Sequence, residues 1–200
     1  MTDNVVRHEG RVSPEARERA SGQKGALVWL TGLSASGKST IARQAEEILF
    51  NRGVWTYVLD GDNLRHGLNS DLGFGQADRV ENVRRVGEAA RLFADAGLVV
   101  FVALISPYRA DRERVRTLFG AGRFMEVYVK CPLSACEERD PKGLYVRARA
   151  GEIAEFTGLD SPYEEPDAPE LALDTMALDI GDCAAKIVGM LEERGIVRGS

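Results

Sequence analysis

ALVWLTGLSASGKSTIARQAEEIL, residues 26–49, decides how the rest of the chain is read. Its first six residues read as a strand, small residues follow, and from Lys38 onward the apolar positions take helical spacing. A glycine-rich turn between strand and helix aims backbone N–H groups at one point, where the helix dipole also favours an anion. From Gly32 to Ser39 the turn spells Gly-x-x-x-x-Gly-Lys-Ser. That pattern cradles the phosphates of ATP or GTP: Lys38 sets a point charge at the β- and γ-phosphates, and the Ser39 hydroxyl can bind Mg2+. The expected ATP-binding residues are Gly32, Leu33, Ser34, Ala35, Ser36, Gly37, Lys38, Ser39 and Thr40.

Outward from this turn, short apolar runs alternate with helical patterns. VWTYVLD (54–60), GLVVFVALIS (97–106) and FMEVYVKC (124–131) read as strands. The second of these is almost wholly apolar, as a strand buried on both faces should be. Helices are expected from Asp78 to Ala96, over RADRERVRTLF (109–119) and from LSACEER (133–139). ELALDT (170–175) and a helix near Asp182 to Arg194 close the chain. Such alternation implies an α/β three-layer fold around a central parallel sheet with right-handed crossovers. Residues 1–24 read as an N-terminal arm, in which Ser13-Pro14-Glu15 starts a helix with Ser13 as its cap. Residues 25–200 form one P-loop domain, and a polar, proline-bearing stretch at about 139–168 reads as its mobile lid.

The formal net charge of −5 excludes a general nucleic-acid or membrane-surface binder, so any anionic ligand must be held by local cations. No apolar run approaches the roughly 18 residues that span a bilayer. The polar N-terminus is not that of a signal peptide, and the expected setting is cytoplasmic. Cys131, Cys136 and Cys183 are too few for a disulfide framework, and read as ordinary, mostly buried thiols.

Two absences narrow the chemistry. No Asn-Lys-x-Asp guanine signature occurs, which argues against a switch GTPase. The apolar strand 97–106 ends in Ile105-Ser106, where an ATPase motor would place an Asp on the metal. The available carboxylates are Asp60 and Asp62, in LDGDNLRHGL at the end of strand 54–60. Strand C-termini border the ligand crevice in open α/β sheets, so both should face the P-loop. One can order Mg2+ waters while the other accepts a proton from an attacking hydroxyl. In isolation, Asp-Gly-Asp-Asn is equally good turn chemistry.

GLSASGKST, DGDNLRHGLNSDLGF, DRVENVRRVGE, ISPYRADR and RDPKGLYVRARAGEIAEFTGLDSPYEEP occur in this order. Together they resemble the adenylyl-sulfate kinase family of P-loop kinases over roughly residues 24–194. The resemblance implies ATP-dependent phosphorylation of the 3′-hydroxyl of adenosine 5′-phosphosulfate (APS) in sulfate activation, with Mg2+ as cofactor. It implies that Asp62 prepares the 3′-hydroxyl, which leaves Asp60 with Ser39 on the metal side. Arg65, Arg79 and Asn82 would hold the phosphosulfate end, where planar guanidinium suits an oxyanion. Phe74 and Phe156 would sandwich the adenine, and Lys142 would bring the lid over the phosphates. Ile105 and Ser106 would contact the acceptor. Ser106 also matches the serine described as a phosphoserine intermediate in bacterial members, although the arrangement already offers a direct acceptor. Many family members have Gly where this chain has Ala35, a free position of the P-loop pattern. The resemblance further implies a homodimer and a functional link to ATP sulfurylase.

Each residue alone has a plainer reading: Arg65 as a solvated charge, Phe74 as a loop anchor, Arg79 and Asn82 as one helix face, His66 as a loop hydrogen bonder. Two other functions stay in view, a P-loop kinase for another acceptor such as a nucleoside monophosphate, and a non-catalytic nucleotide-binding module. Against the second, Lys38, Ser39, Asp62 and Lys142 are all present.

Overall fold

Strand β1 (Ala26–Thr31) is buried along its whole length, and this places it in the middle of a sheet with a covered face on either side. The computed structural model describes residues 6, 8 and 10–199; residues 1–5, 7 and 9 of the arm, and residue 200, lie outside the described residues. The other strands are β2 (Thr56–Asp60), β3 (Val99–Ala103), β4 (Phe124–Lys130) and β5 (Leu171–Asp174), in the order β2-β3-β1-β4-β5. Every neighbouring pair is parallel, with Ala26 beside Val99 and Leu27 beside Phe124.

Alternate side chains of β1 point to opposite faces. Val28 and Leu30 pack with Ile41 and Leu49 of α2 (Lys38–Phe50) and with Ile187 and Leu191 of α8 (Ile180–Glu193). Leu27 and Trp29 pack with Val83 and Val86 of α4 (Gln76–Asp95) and with Val115 of α5 (Arg109–Arg116). The result is the expected three-layer α/β fold. Helices α4 and α5 approach so closely that a Cβ on Gly87 would lie 2.7 Å from Val115 Cγ2. The arm contributes α1 (Pro14–Ser21), whose Ser13 Oγ accepts the Ala16 N–H at 3.2 Å.

Some boundaries differ from the sequence reading. Strand β3 stops at Ala103, not Ser106, because Ser106 turns to φ +41° and Pro107 has no N–H to pair. Strand β2 starts at Thr56, not Val54; the Trp55 N–H is taken by Gln23 Oε1 at 2.7 Å. A short α3 (Gly61–Leu64) follows β2, and α6 (Leu133–Arg139) precedes the polar stretch.

That stretch contains α7 (Leu144–Arg149). The Asp140 carboxylate accepts the N–H groups of Leu144, Tyr145 and Val146 at 2.8, 2.9 and 3.1 Å. Tyr145 and Phe156 are buried against Cys131 and Cys136, and Leu33 of the phosphate turn packs on the same cluster. All three cysteines are free and buried. No described helix is long and apolar enough to cross a membrane.

Candidate active site

The phosphate turn joins β1 to α2 above the carboxyl end of the sheet. Gly32 sits at φ +152°, and a Cβ there would lie 2.5 Å from the Val129 carbonyl oxygen, so only glycine fits. Ala35 adopts φ +59°, the left-handed region that residues other than glycine seldom enter. Lys38 is the first residue of α2 and is buried; its ammonium donates to the Leu33 carbonyl at 2.5 Å and to Ser36 Oγ at 3.4 Å. The lysine thus lies folded over its own turn. Burial lowers its pKa to about 8, and the nearby Cys136, Asp62 and Asp60 offset part of that effect. Ser39 is half-buried and its hydroxyl makes no hydrogen bond among the described residues; Thr40 beyond it is exposed. Leu33, Ser34 and Ala35 are half-buried beneath α7, whose Tyr145 hydroxyl donates to the Ser34 carbonyl at 3.1 Å.

The two carboxylates after β2 differ in surroundings. Asp60 is buried and satisfied: Oδ1 accepts the Asp62 N–H at 3.0 Å and Oδ2 meets Arg43 Nη2 at 3.3 Å. Arg43 lies one turn beyond Ser39 on α2, so Asp60 is tied to the helix that carries the Ser39 hydroxyl. Asp62 is exposed, and Lys142 from the lid donates to its Oδ2. Ser39 and Asp60 are hard oxygen donors beside a phosphate turn. That donor set suits Mg2+, which is usually held by one or two protein oxygens, substrate phosphates and water.

The expected acceptor residues gather at the mouth of the sheet. Arg65 Nη1 donates to the carbonyls of Leu72 and Gly73 at 3.0 and 2.9 Å, and its guanidinium lies 4.1 Å from the Phe74 ring centroid. Arg79 Nε donates to the Phe74 carbonyl and Nη1 to Thr157 Oγ1, both at 2.7 Å, and Nη2 reaches the Glu155 carbonyl. Asn82 is buried, and its Oδ1 accepts from Asn69 Nδ2 at 2.8 Å. The His66 side chain has no hydrogen bond among the described residues; only its N–H donates, to the Asn63 carbonyl at 3.1 Å.

The two phenylalanines are not face to face. Phe74 is 62% exposed with Arg65 over its ring, whereas Phe156 is 8% exposed and meets Tyr145 edge-on at 4.9 Å. Ser106 is also turned inward. Its hydroxyl accepts from the Trp29 indole at 2.9 Å and donates to Thr31 Oγ1 at 3.1 Å. The Ile105 carbonyl accepts from that same threonine at 2.7 Å.

Several residues here escaped the sequence reading. Thr31 is the one hydroxyl in ALVWLT and is fully buried, which was a signal, since a buried polar group needs partners. Asn69, Arg112 and Tyr163 gave no comparable hint. Arg139 donates to Thr175 Oγ1 and to the Thr175 carbonyl at 3.2 and 3.0 Å, in the loop after β5 that lies against Gly37.

Comparison with known proteins identifies the family and agrees with the fold. The family model described as Adenylylsulphate kinase matches residues 24–174. The adenylyl-sulfate kinase of Geotalea uraniireducens (strain Rf4) is 57% identical over 191 residues, 96% of this chain and 92% of its own. The solved Mycobacterium tuberculosis APS kinase CysC, in complex with AMPPNP and APS, superposes with a TM-score of 0.82 at 51% identity. It covers 85% of this chain and 99% of that one. The hexameric APS kinase from Thiobacillus denitrificans gives a TM-score of 0.67 at 34% identity, over 91% of this chain and 31% of that chain. A glycine-rich turn after β1, carboxylates at the end of β2 and similarity along nearly the whole sequence lead to one assignment: this chain belongs to the adenylyl-sulfate kinase family.

Proposed function

We propose that this chain transfers the γ-phosphoryl group of ATP to the 3′-hydroxyl of adenosine 5′-phosphosulfate, giving 3′-phosphoadenosine 5′-phosphosulfate and ADP in sulfate assimilation. The observation that carries the reading is its 51% identity to a kinase solved with AMPPNP and APS, over nearly all of that chain.

The residues divide the work as follows. The turn from Gly32 to Thr40 receives the triphosphate, and Lys38 leaves the Leu33 carbonyl to meet phosphate oxygens. Ser39 and Asp60 would hold Mg2+, which when bound would supply charge neutralisation to the phosphates. Asp62 accepts the proton of the 3′-hydroxyl as the O3′–Pγ bond forms and the bond from Pγ to the bridging oxygen of ADP breaks. Lys142, already paired with Asp62, stands where the transferring group passes. Arg65, Arg79 and Asn82 take the phosphosulfate, and Phe74 and Phe156 border the adenine. For this, Arg65 and Arg79 exchange backbone carbonyls for charged oxygens, which are the stronger acceptors. Ile105 and Ser106 form the wall beside the acceptor. Catalysis is then mostly positioning and electrostatics in a closed site.

The three free thiols suit a reducing, cytoplasmic setting. We read the working form as a homodimer, linked through its substrate to an ATP sulfurylase. ADP release with APS against AMP as acceptor, with the product identified by mass, tests the function; preference for AMP would reject it.

A further inference from the structure

Building on that function, we propose that Arg112 is a positioning residue: it holds the acceptor-side peptide Ile105–Ser106 and the root of the lid at Tyr163–Glu164 in one fixed register. Its side chain is 2% exposed, and three of its nitrogens serve three separate segments. Nε donates to Glu126 Oε1 on β4 at 2.5 Å, Nη1 to the Ser106 carbonyl at 2.7 Å, and Nη2 to the Glu164 carbonyl at 2.8 Å. A planar guanidinium fixes the directions of all three bonds at once, which an ammonium cannot do.

The one carboxylate partner of Arg112 among the described residues is Glu126, whose other oxygen Arg116 Nη2 approaches at 3.5 Å; the two carbonyls add geometry. A buried ion pair is weak evidence for stability, because desolvation offsets its attraction. What this pair achieves is alignment. Ser106 stands at φ +41°, a conformation that persists only where its surroundings impose it. Arg112 holds its carbonyl, while Trp29 and Thr31 hold its hydroxyl.

A second link joins the same two segments. Thr31 Oγ1 gives its hydrogen to the Ile105 carbonyl at 2.7 Å and lies 3.0 Å from the Tyr163 hydroxyl. The lid that carries Lys142 and Phe156 thus ends at a root bonded to the acceptor wall through Arg112 and through Thr31. Arg112 bonds to no residue of the phosphate turn, and in the second link Tyr163 lies at the end away from it, whereas Thr31 directly precedes Gly32. Loosening them should therefore weaken the acceptor side and spare ATP.

Two variants test this. Arg112→Lys keeps the charge opposite Glu126 but cannot serve three acceptors, and Tyr163→Phe removes one oxygen. Each should raise the KM for APS by about 10-fold or more, as misplacement at a distance can, with the KM for ATP unchanged. Amide hydrogen exchange, which needs no substrate, should quicken at residues 104–107 and 161–165 and stay the same at 32–40. Equal rises in both KM values, or faster exchange throughout, would make Arg112 a structural residue only. Unchanged APS kinetics and exchange in Arg112→Lys would overturn the proposal, and should that variant fail to fold, the same result in Glu126→Gln, which removes the charge anchoring Arg112 Nε, would do so. Failure of the wild type to phosphorylate APS would refute the function and leave the exchange result to judge the tie.

Discussion

The Lys142 ammonium donates to Asp62 Oδ2, joining the lid to the end of β2 across eighty residues of sequence. Both side chains are more than half exposed, so the pair adds little to stability. In the proposed reaction, its value would lie in bringing a cation to the carboxylate assigned to the acceptor hydroxyl.

Asp62→Asn should therefore lower kcat by at least about 100-fold, the lower range for loss of a general base, with little change in ATP affinity or melting temperature. Asp60→Asn should act differently: asparagine still caps α3, so the change removes mainly the charge that meets Arg43 and costs about 1 kcal/mol or less of stability. Steady-state kinetics beside thermal melts separate the two. A mild Asp62→Asn with a severe, well-folded Asp60→Asn would reverse the assignment.

Lys38 makes ATP binding proton-linked. With its pKa at about 8 in the free protein, the group is partly neutral near pH 8.5, and phosphate favours its charged form. Binding should take up protons there and none near pH 6.5, as calorimetry in buffers of different ionisation enthalpy will report. The folded pKa lies below the ordinary 10.5, so the unfolded chain binds more protons between the two values, and ligand-free stability gains from Lys38 as pH rises through that window. Lys38→Met should abolish both the proton uptake and the transfer. Uptake that survives the substitution would assign it to another group.

The two phenylalanines should separate cleanly. Phe74→Ala should raise the KM for APS with little loss of stability, since the ring is mostly exposed. Phe156→Ala should raise the same KM and also cost about 3–5 kcal/mol, because it empties a buried site against Tyr145. Chemical denaturation gives the second quantity. Equal stability in both variants would contradict the packing, and a matching rise in the KM for ATP would place the rings elsewhere.

Ser106→Ala tests whether a phosphoserine is required. Phosphorylation of its buried hydroxyl would first need its bonds to Trp29 and Thr31 broken. We expect substantial activity with inversion at a chiral γ-phosphate, and a stability loss of about 1–3 kcal/mol from the indole left unpaired. Complete inactivity in a folded variant, with retention of configuration in the wild type, would make the covalent route obligatory.

The core of the fold was legible because β1 and the phosphate turn combine two local signals, an apolar run and a glycine pattern. The candidate site residues stood out as members of motifs; their contacts did not. Arg65 spans to Leu72 and Gly73 only once the loop closes, and no spacing rule predicts that. Helix α7 has six residues, too few to show a period, and Asp140, whose carboxylate takes its first N–H groups, stands before Pro141 and Gly143, where the sequence reads as loop. Ala35 looked free because the P-loop pattern constrains residue type and says nothing of φ. The inward turn of Ser106 depends on Trp29, two strands of sequence away, and so could not be read locally.

The strand order carries a consequence for biosynthesis. The central strand, β1, is the first made, yet its neighbours are β3 and β4, and β2 pairs only with β3. A nascent chain that has not yet reached Val99 has no strand on which to lay Trp29 and Leu30. Parallel pairing across long crossovers forms slowly and leaves apolar surface uncovered meanwhile. For this protein that interval falls on the ribosome, so truncated chains ending before β3 should be the species that chaperones hold and proteases clear.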